Sequence, residues 1–202
     1  MKMNNRRWVT AWRLFKSGEH QEFLARTFRL LKPLTHKTTK VEYLAWRKRW
    51  VELGEEDKKE IVERVELLPH CPFFILFLDA RNSDAVSLLS TIESVVEQIY
   101  CDWLLCITNG ELLEHGLSDK IRDLKDSRIQ LVNSKENIIG DWVVELTPGI
   151  RLHEAALCAA SFSLVENPKI SIIYSDHEHV DPTGNYCDPH MKPDWNPDLF
   201  AA

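Results

Sequence analysis

Hydrophobic positions change their period near residue 70. Between Glu19 and Leu68 they recur at helical spacing as Phe23, Phe28, Leu30 and Leu31, then Tyr43, Leu44, Trp46 and Trp50, then Ile61, Val62, Val65 and Leu68. This predicts three helices, separated by Pro33–Thr39 and by Gly54. Trp46 and Trp50 lie four apart on one face and read as core packing between helices. Pro69 and Pro72 close this part. Beyond them, apolar runs that read as strands, Phe73–Leu78, Trp103–Thr108, Arg128–Val132, Trp142–Leu146 and Ile170–Tyr174, alternate with helical patterns at Ala85–Gln98, Leu117–Leu124 and Leu152–Glu166. The alternation predicts an α/β fold, a mostly parallel sheet with covering helices, preceded by an α-helical N-terminal extension. The expected division is residues 1–70 and 71–202. Right-handed crossovers would bring strand ends at Asp79, Asn109, Thr147 and Asp176 to one rim, the side on which open α/β sheets bind ligands.

The charge is unevenly shared. Residues 1–50 hold 13 Lys and Arg against 3 Asp and Glu, a balance of +10, and the remainder 12 against 28, or −16, within a chain of 202 residues and net charge −6. Trp8, Trp12 and Phe15 would form an aromatic stripe on a helix edged by Arg6, Arg7, Arg13 and Lys16, as in an interfacial anchor on an anionic membrane. The same face can instead dock on the rest of the extension and leave its basic residues solvated. No run of twenty apolar residues occurs, and Arg13 and Lys16 interrupt any signal-peptide core. No nucleic-acid motif accompanies the basic residues. Cys71, Cys101, Cys106, Cys158 and Cys187 form no CxxC pair and read as reduced, buried thiols of a cytoplasmic protein.

The last thirty residues carry the most specific pattern. Ile170–Tyr174 leads into Ser175-Asp176-His177-Glu178-His179, an Asp-Pro-Thr-Gly turn follows at Asp181–Gly184, and Lys192-Pro-Asp-Trp-Asn-Pro-Asp-Leu199 closes the block. Tyr174-Ser175-Asp176 and the eight residues 192–199 resemble the corresponding segments of bacterial family 2 glycosyltransferases of the GT-A fold, of the type that builds surface polysaccharides. The resemblance reaches back to Tyr43-x-x-Trp46, through Leu68-Pro69-His70-Cys71-Pro72, Ser90–Gln98 and Trp103–Ile107, and leaves residues 1–42 uncovered.

Resemblance implies transfer of a sugar from a nucleotide-diphosphate donor to a polysaccharide or O-antigen acceptor at the cytoplasmic face of the plasma membrane. The partners implied are a nucleotide-diphosphate sugar, a glycan or lipid-linked acceptor and, through residues 1–18, an anionic membrane surface. Nucleotide-sugar contacts are carried over to Asp79, Arg81, Asn82, Asn109, Thr147, Asp176 and Glu178, and a substrate segment to Lys192, Asp194, Trp195 and Asn196. Family members hold Mn²⁺ or Mg²⁺ on an Asp-x-Asp motif after the strand matching Trp142–Leu146. Here Thr147-Pro148-Gly149-Ile150 stands at that place without a carboxylate. Asn109-Gly110 replaces the usual Asp residues, and Leu78-Asp79-Ala80-Arg81-Asn82 keeps only Asn82 of the family's Met-Pro-Val-Tyr-Asn.

The stretch Glu136–Ile139 is too short for a helical crossover, so the third and fourth strands are expected either to pair as a hairpin or to leave the crevice open on that side. The chain also stops before the family's expected general base, which reads as C-terminal truncation, so no catalytic residue is assigned. Weak or absent transferase activity is expected, with a non-catalytic partner module or the remnant of an interrupted gene as alternatives. His177 and His179 would share a face of an extended chain, but two further metal ligands would have to come from elsewhere and no Cys/His cluster in the sequence supplies them. No metal site is expected.

Overall fold

The structure, a computed structural model, describes residues 40–81, 83–110, 115–135, 138–181 and 183–192. The first predicted helix and the aromatic stripe of residues 8–15 lie outside these residues. By packing, the chain divides into two compact units, residues 1–52 with 177–190, and 53–176 with 191–202.

In the larger unit, α2 (Glu55–Glu66) begins at Gly54, whose N–H is met by Asp57 Oδ2 at 2.8 Å. It lies on α5 (Ala156–Glu166) through a Lys58–Glu154 ion pair at 2.8 Å and the Arg64 guanidinium over the Phe162 ring. Between them in sequence come β1 (Phe74–Asp79), α3 (Ala85–Val96), β2 (Trp103–Thr108), α4 (His115–Asp123), β3 (Ile129–Val132) and β4 (Trp142–Leu146). The four strands form one parallel sheet in the order β3-β2-β1-β4. β1 is central and buried from Phe74 to Leu78, as its unbroken apolar run requires. Alternation places Phe74, Leu76 and Leu78 on one face and Ile75 and Phe77 on the other, where Cys106, Leu104, Val132 and Ile138 join them.

The connection from β3 to β4 corrects one expectation. The two strands do not pair as a hairpin; β4 lies at the far edge of the sheet from β3 and runs parallel to β1. Three strand spacings amount to about 14 Å, and nine extended residues reach about 30 Å, so no helix is needed. The crossing is tight. A Cβ on Gly140 would stand 2.5 Å from Ile75 Cγ1, and the N–H groups of Asp141 and Trp142 both donate to Phe73 O. Val143, on the Ile75 face of β4, is 58% exposed.

A second correction concerns Ile170–Tyr174, which forms no strand. Ile172 and Ile173 are exposed, and among the described residues β4 pairs only with β1. β-branched composition favours a half-buried pleated surface, but without a ladder partner it does not make a strand.

In the smaller unit, α1 (Lys40–Trp50) accompanies an antiparallel hairpin of β5 (His177–Val180) and β6 (Tyr186–His190). Its turn is the expected one. Asp181 Oδ1 accepts from the Thr183 and Asn185 N–H groups, and Gly184 sits at φ +83°. On α1 the buried residue is Arg47, whereas Trp50 is exposed, so the Trp46–Trp50 core stripe is not observed. The Arg47 guanidinium lies 3.2 Å from the centre of the Tyr186 ring, and its Nε donates to Glu178 Oε1 at 2.9 Å. Among the described residues no helix is long and apolar enough to cross a membrane.

Candidate functional site

Because all four sheet strands are parallel, their carboxyl ends share one rim. With the order β3-β2-β1-β4, the chain leaves β1 toward one side and returns to its other side at β4, so the topological switch point lies between β1 and β4. That is where a crevice opens in folds of this kind. Asp79 ends β1, Thr108 and Asn109 end β2, and Thr147 follows β4.

Asp79, Arg81 and Asn109 are brought together. Asp79 accepts from the Arg81 backbone N–H at 3.0 Å, from Arg81 Nε at 2.9 Å and Nη2 at 2.6 Å, and from Asn109 Nδ2 at 2.8 Å. The Asn109 backbone is left-handed at φ 57°, a conformation Asn tolerates better than most residues, and this turns its amide toward β1. The guanidinium of Arg81, its backbone N–H and the Asn109 amide together hold the Asp79 carboxyl down at about 2. The same contact raises Arg81. Of the five N–H donors of the guanidinium, these contacts use Nε–H and one on Nη2.

The β4 side is built differently. Gly149, at φ +94°, donates its N–H to Ser87 O at 3.1 Å and to Thr91 Oγ1 at 2.9 Å. Further along, the Leu152 N–H meets Ser94 Oγ at 3.1 Å, and Gln98 spans the segment, Nε2 donating to His153 O at 2.7 Å and Oε1 accepting from the Leu157 N–H at 3.1 Å. Thr91 and Ser94 on α3, with Gln98 just past its end, thus form a buried polar stripe that clamps the chain after β4. Sequence reasoning missed this stripe. Its signal was present as three polar residues at helical spacing among Leu88, Ile92 and Val95.

Among the described residues, no carboxylate at this rim is set to receive a divalent cation. The turn after β4 offers Thr147, Pro148, Gly149 and Ile150. Glu145 is engaged by Lys135 Nζ at 2.7 and 2.8 Å, and Asp79 is saturated by Arg81 and Asn109. The Asp84 carboxylate caps α3, accepting from the Ser87 N–H at 2.9 Å, and that bond holds its pKa down. The residues present do not fit the cation implied by the resemblance.

Other expected site residues lie elsewhere. Asp176, expected on the rim, belongs to no sheet strand; it is exposed and accepts from the Lys192 backbone N–H at 2.7 Å. The Lys192 ammonium stands 5.9 Å from the centre of the Tyr174 ring. Glu178 belongs to the smaller unit, where it accepts from Arg47 and from the Tyr43 hydroxyl. Burial, then that bond, pushes the Tyr43 pKa up. Asn82, Asp194, Trp195 and Asn196 lie outside the described residues.

Comparison with known proteins places the chain among distant relatives. No family model matches it. It is 28% identical over 153 residues, 68% of this chain, to the uncharacterized protein y4gI of Sinorhizobium fredii (strain NBRC 101917 / NGR234). It is 24% identical over 155 residues, 69% of this chain, to the O-antigen biosynthesis protein RfbC of Myxococcus xanthus. The chain spans 17% of the length of the first and 12% of the second. Its parallel sheet with flanking helices is an α/β fold compatible with the GT-A type.

Proposed function

We propose that this chain is a divergent family 2 glycosyltransferase-like module of polysaccharide biosynthesis, one that binds a nucleotide-diphosphate sugar in the crevice between β1 and β4 and transfers sugar weakly or not at all by itself. The observation that carries the reading is the switch point of the parallel sheet, which has an Arg–Asp–Asn cluster on one flank and a carboxylate-free turn on the other. A diphosphate brings negative charge that enzymes of this kind offset with a cation. Here Arg81 is a described group at the rim able to meet it, with guanidinium donors not used by Asp79. Asn109 can hydrogen-bond a base or ribose but adds no charge.

Similarity to a named O-antigen biosynthesis protein supports the polysaccharide context. The short span of both relatives supports a module within a larger assembly, and the saturated Asp79 carboxylate favours a binding role over catalysis. Working with such acceptors places the protein at the cytoplasmic face of the membrane, with residues 1–18 as the segment offered to anionic lipid.

Calorimetric titration with several nucleotide diphosphates, with and without Mn²⁺, tests the proposal. Micromolar binding that is independent of Mn²⁺ and weakened about tenfold or more by Arg81→Ala is expected. Binding that requires Mn²⁺ would show a working cation site and overturn the reading, as would no nucleotide binding at all.

A further inference from the structure

The hairpin of the smaller unit gathers metal-ligating side chains that the crevice does not use. Its register pairs His177 with His190 and His179 with Cys187, shifted by an irregularity between His177 and His179. Asp188, at φ 47°, takes up the extra residue on β6 as a bulge does. Without that bulge, Cys187 and His190, three apart, would point to opposite faces of the ribbon. With it, both join His177 and His179 on one face. The rings confirm the placement, since His177 stacks on His190 with centroids 4.8 Å apart and lies 6.0 Å from His179. The opposite face carries Glu178 and Tyr186 and is turned to Arg47 of α1. The three histidines are exposed and Cys187 is half-buried.

We propose that His177, His179, Cys187 and His190 form a binding site for a divalent transition-metal ion of the zinc class. Three imidazoles and one thiolate are the donors such ions prefer. Two imidazoles on one tetrahedral zinc, with Zn–N bonds of about 2.0–2.1 Å, place their ring centres about 5 Å apart, close to the 4.8 and 6.0 Å found here. As described, the donors do not yet converge, and among the described residues no three His, Cys, Asp or Glu side chains are already set to hold a metal. Binding requires these side chains to rotate toward one another. Directly opposed residues on an antiparallel ladder have Cβ atoms about 4.5–5.5 Å apart, so the backbone already sets the spacing. On binding, the Cys187 thiol gives its proton to solvent and each imidazole donates a ring-nitrogen lone pair, with no redox change. An isolated two-stranded hairpin is marginal in water, and an ion bound across its strands would staple it. The site is independent of the nucleotide crevice and of the proposed function.

Titration of the full chain with Co²⁺ alone, under reducing conditions, tests it. One equivalent is expected to give the visible bands of tetrahedral cobalt with a thiolate-to-cobalt charge-transfer band. Cys187→Ser removes the charge-transfer band, and His177→Gln, His179→Gln and His190→Gln each weaken binding about tenfold or more, while Cys71→Ser and Cys101→Ser change neither. Circular dichroism of each variant without metal checks that the fold is kept. Absence of micromolar Co²⁺ binding overturns the proposal. So does binding that survives His177→Gln combined with His190→Gln, or a charge-transfer band that survives Cys187→Ser.

Discussion

The two flanks of the switch point solve the same placement problem by different means. On the β1–β2 side, side-chain charge does the holding, with Asp79, Arg81 and Asn109 locked together at strand ends that remain partly open to solvent. On the β4 side, backbone amides do it, tied down by the buried neutral stripe of Thr91, Ser94 and Gln98. The difference teaches that two strand ends on one rim can be positioned independently, one by charge and one by neutral hydrogen bonds. Position after β4 depends on α3 and not on any ligand, so a carboxylate can be absent there while the turn keeps its shape. On the other flank the charges sit as a partly exposed ion pair, which costs little in water.

The strongest way to break this contrast is at Gln98. Gln98→Leu keeps the side chain's size but leaves the buried Leu157 N–H without its acceptor, and such an unsatisfied group costs about 1–3 kcal/mol. For a chain of this length, 1 kcal/mol corresponds to about 2–4 °C in melting temperature, so a drop of several degrees is expected in a thermal melt. If Gln98→Leu melts within a degree of the parent, the clamp does not hold the β4 flank. Asp79→Asn addresses the other flank and should act more weakly, by no more than about 2–4 °C, the ceiling for an exposed ion pair in a chain this long. A larger loss at Asp79 than at Gln98 would invert the comparison.

The parts legible in the sequence were those whose signal is local. β1, β2 and β4 are apolar runs bounded by turn residues, and the change of period near Pro69 and Pro72 marked where strands begin. The Asp181–Gly184 turn was legible for the same reason. What failed depended on distant partners. Ile170–Tyr174 has strand composition, but nothing in those residues says whether an edge is there to receive them. β5 and β6 carry His, Glu, Asp and Pro, which mask the ladder that their shared turn creates. Arg47 is buried because Glu178, 131 residues away, accepts from it. Of the candidate site, Asp79, Arg81, Asn109 and Thr147 could be placed at the rim because each follows a legible strand. Asp176 could not, since its placement rested on Ile170–Tyr174.

The finest test of the charged flank is its response to acid. Asp79 titrates at about 2 in the folded chain because Arg81 and Asn109 stabilise the carboxylate, against about 3.9 for an unperturbed Asp. A depressed folded-state value means that the unfolded chain binds the proton first, so the stability this group contributes is fully present above about pH 4 and drains away as pH falls toward 2. The side chain is 35% exposed, so solvent and salt screen the effect and added salt should shrink it. Following the Asp79 carboxyl by NMR should give a midpoint near 2 in the parent and a higher one in Arg81→Ala. The melting temperature of Asp79→Asn should fall less steeply than that of the parent between pH 4 and pH 2. A parent midpoint near 4 would mean that the Arg81 contact does not persist in solution, and the flank would then hold its strand ends no more by charge than the other side does.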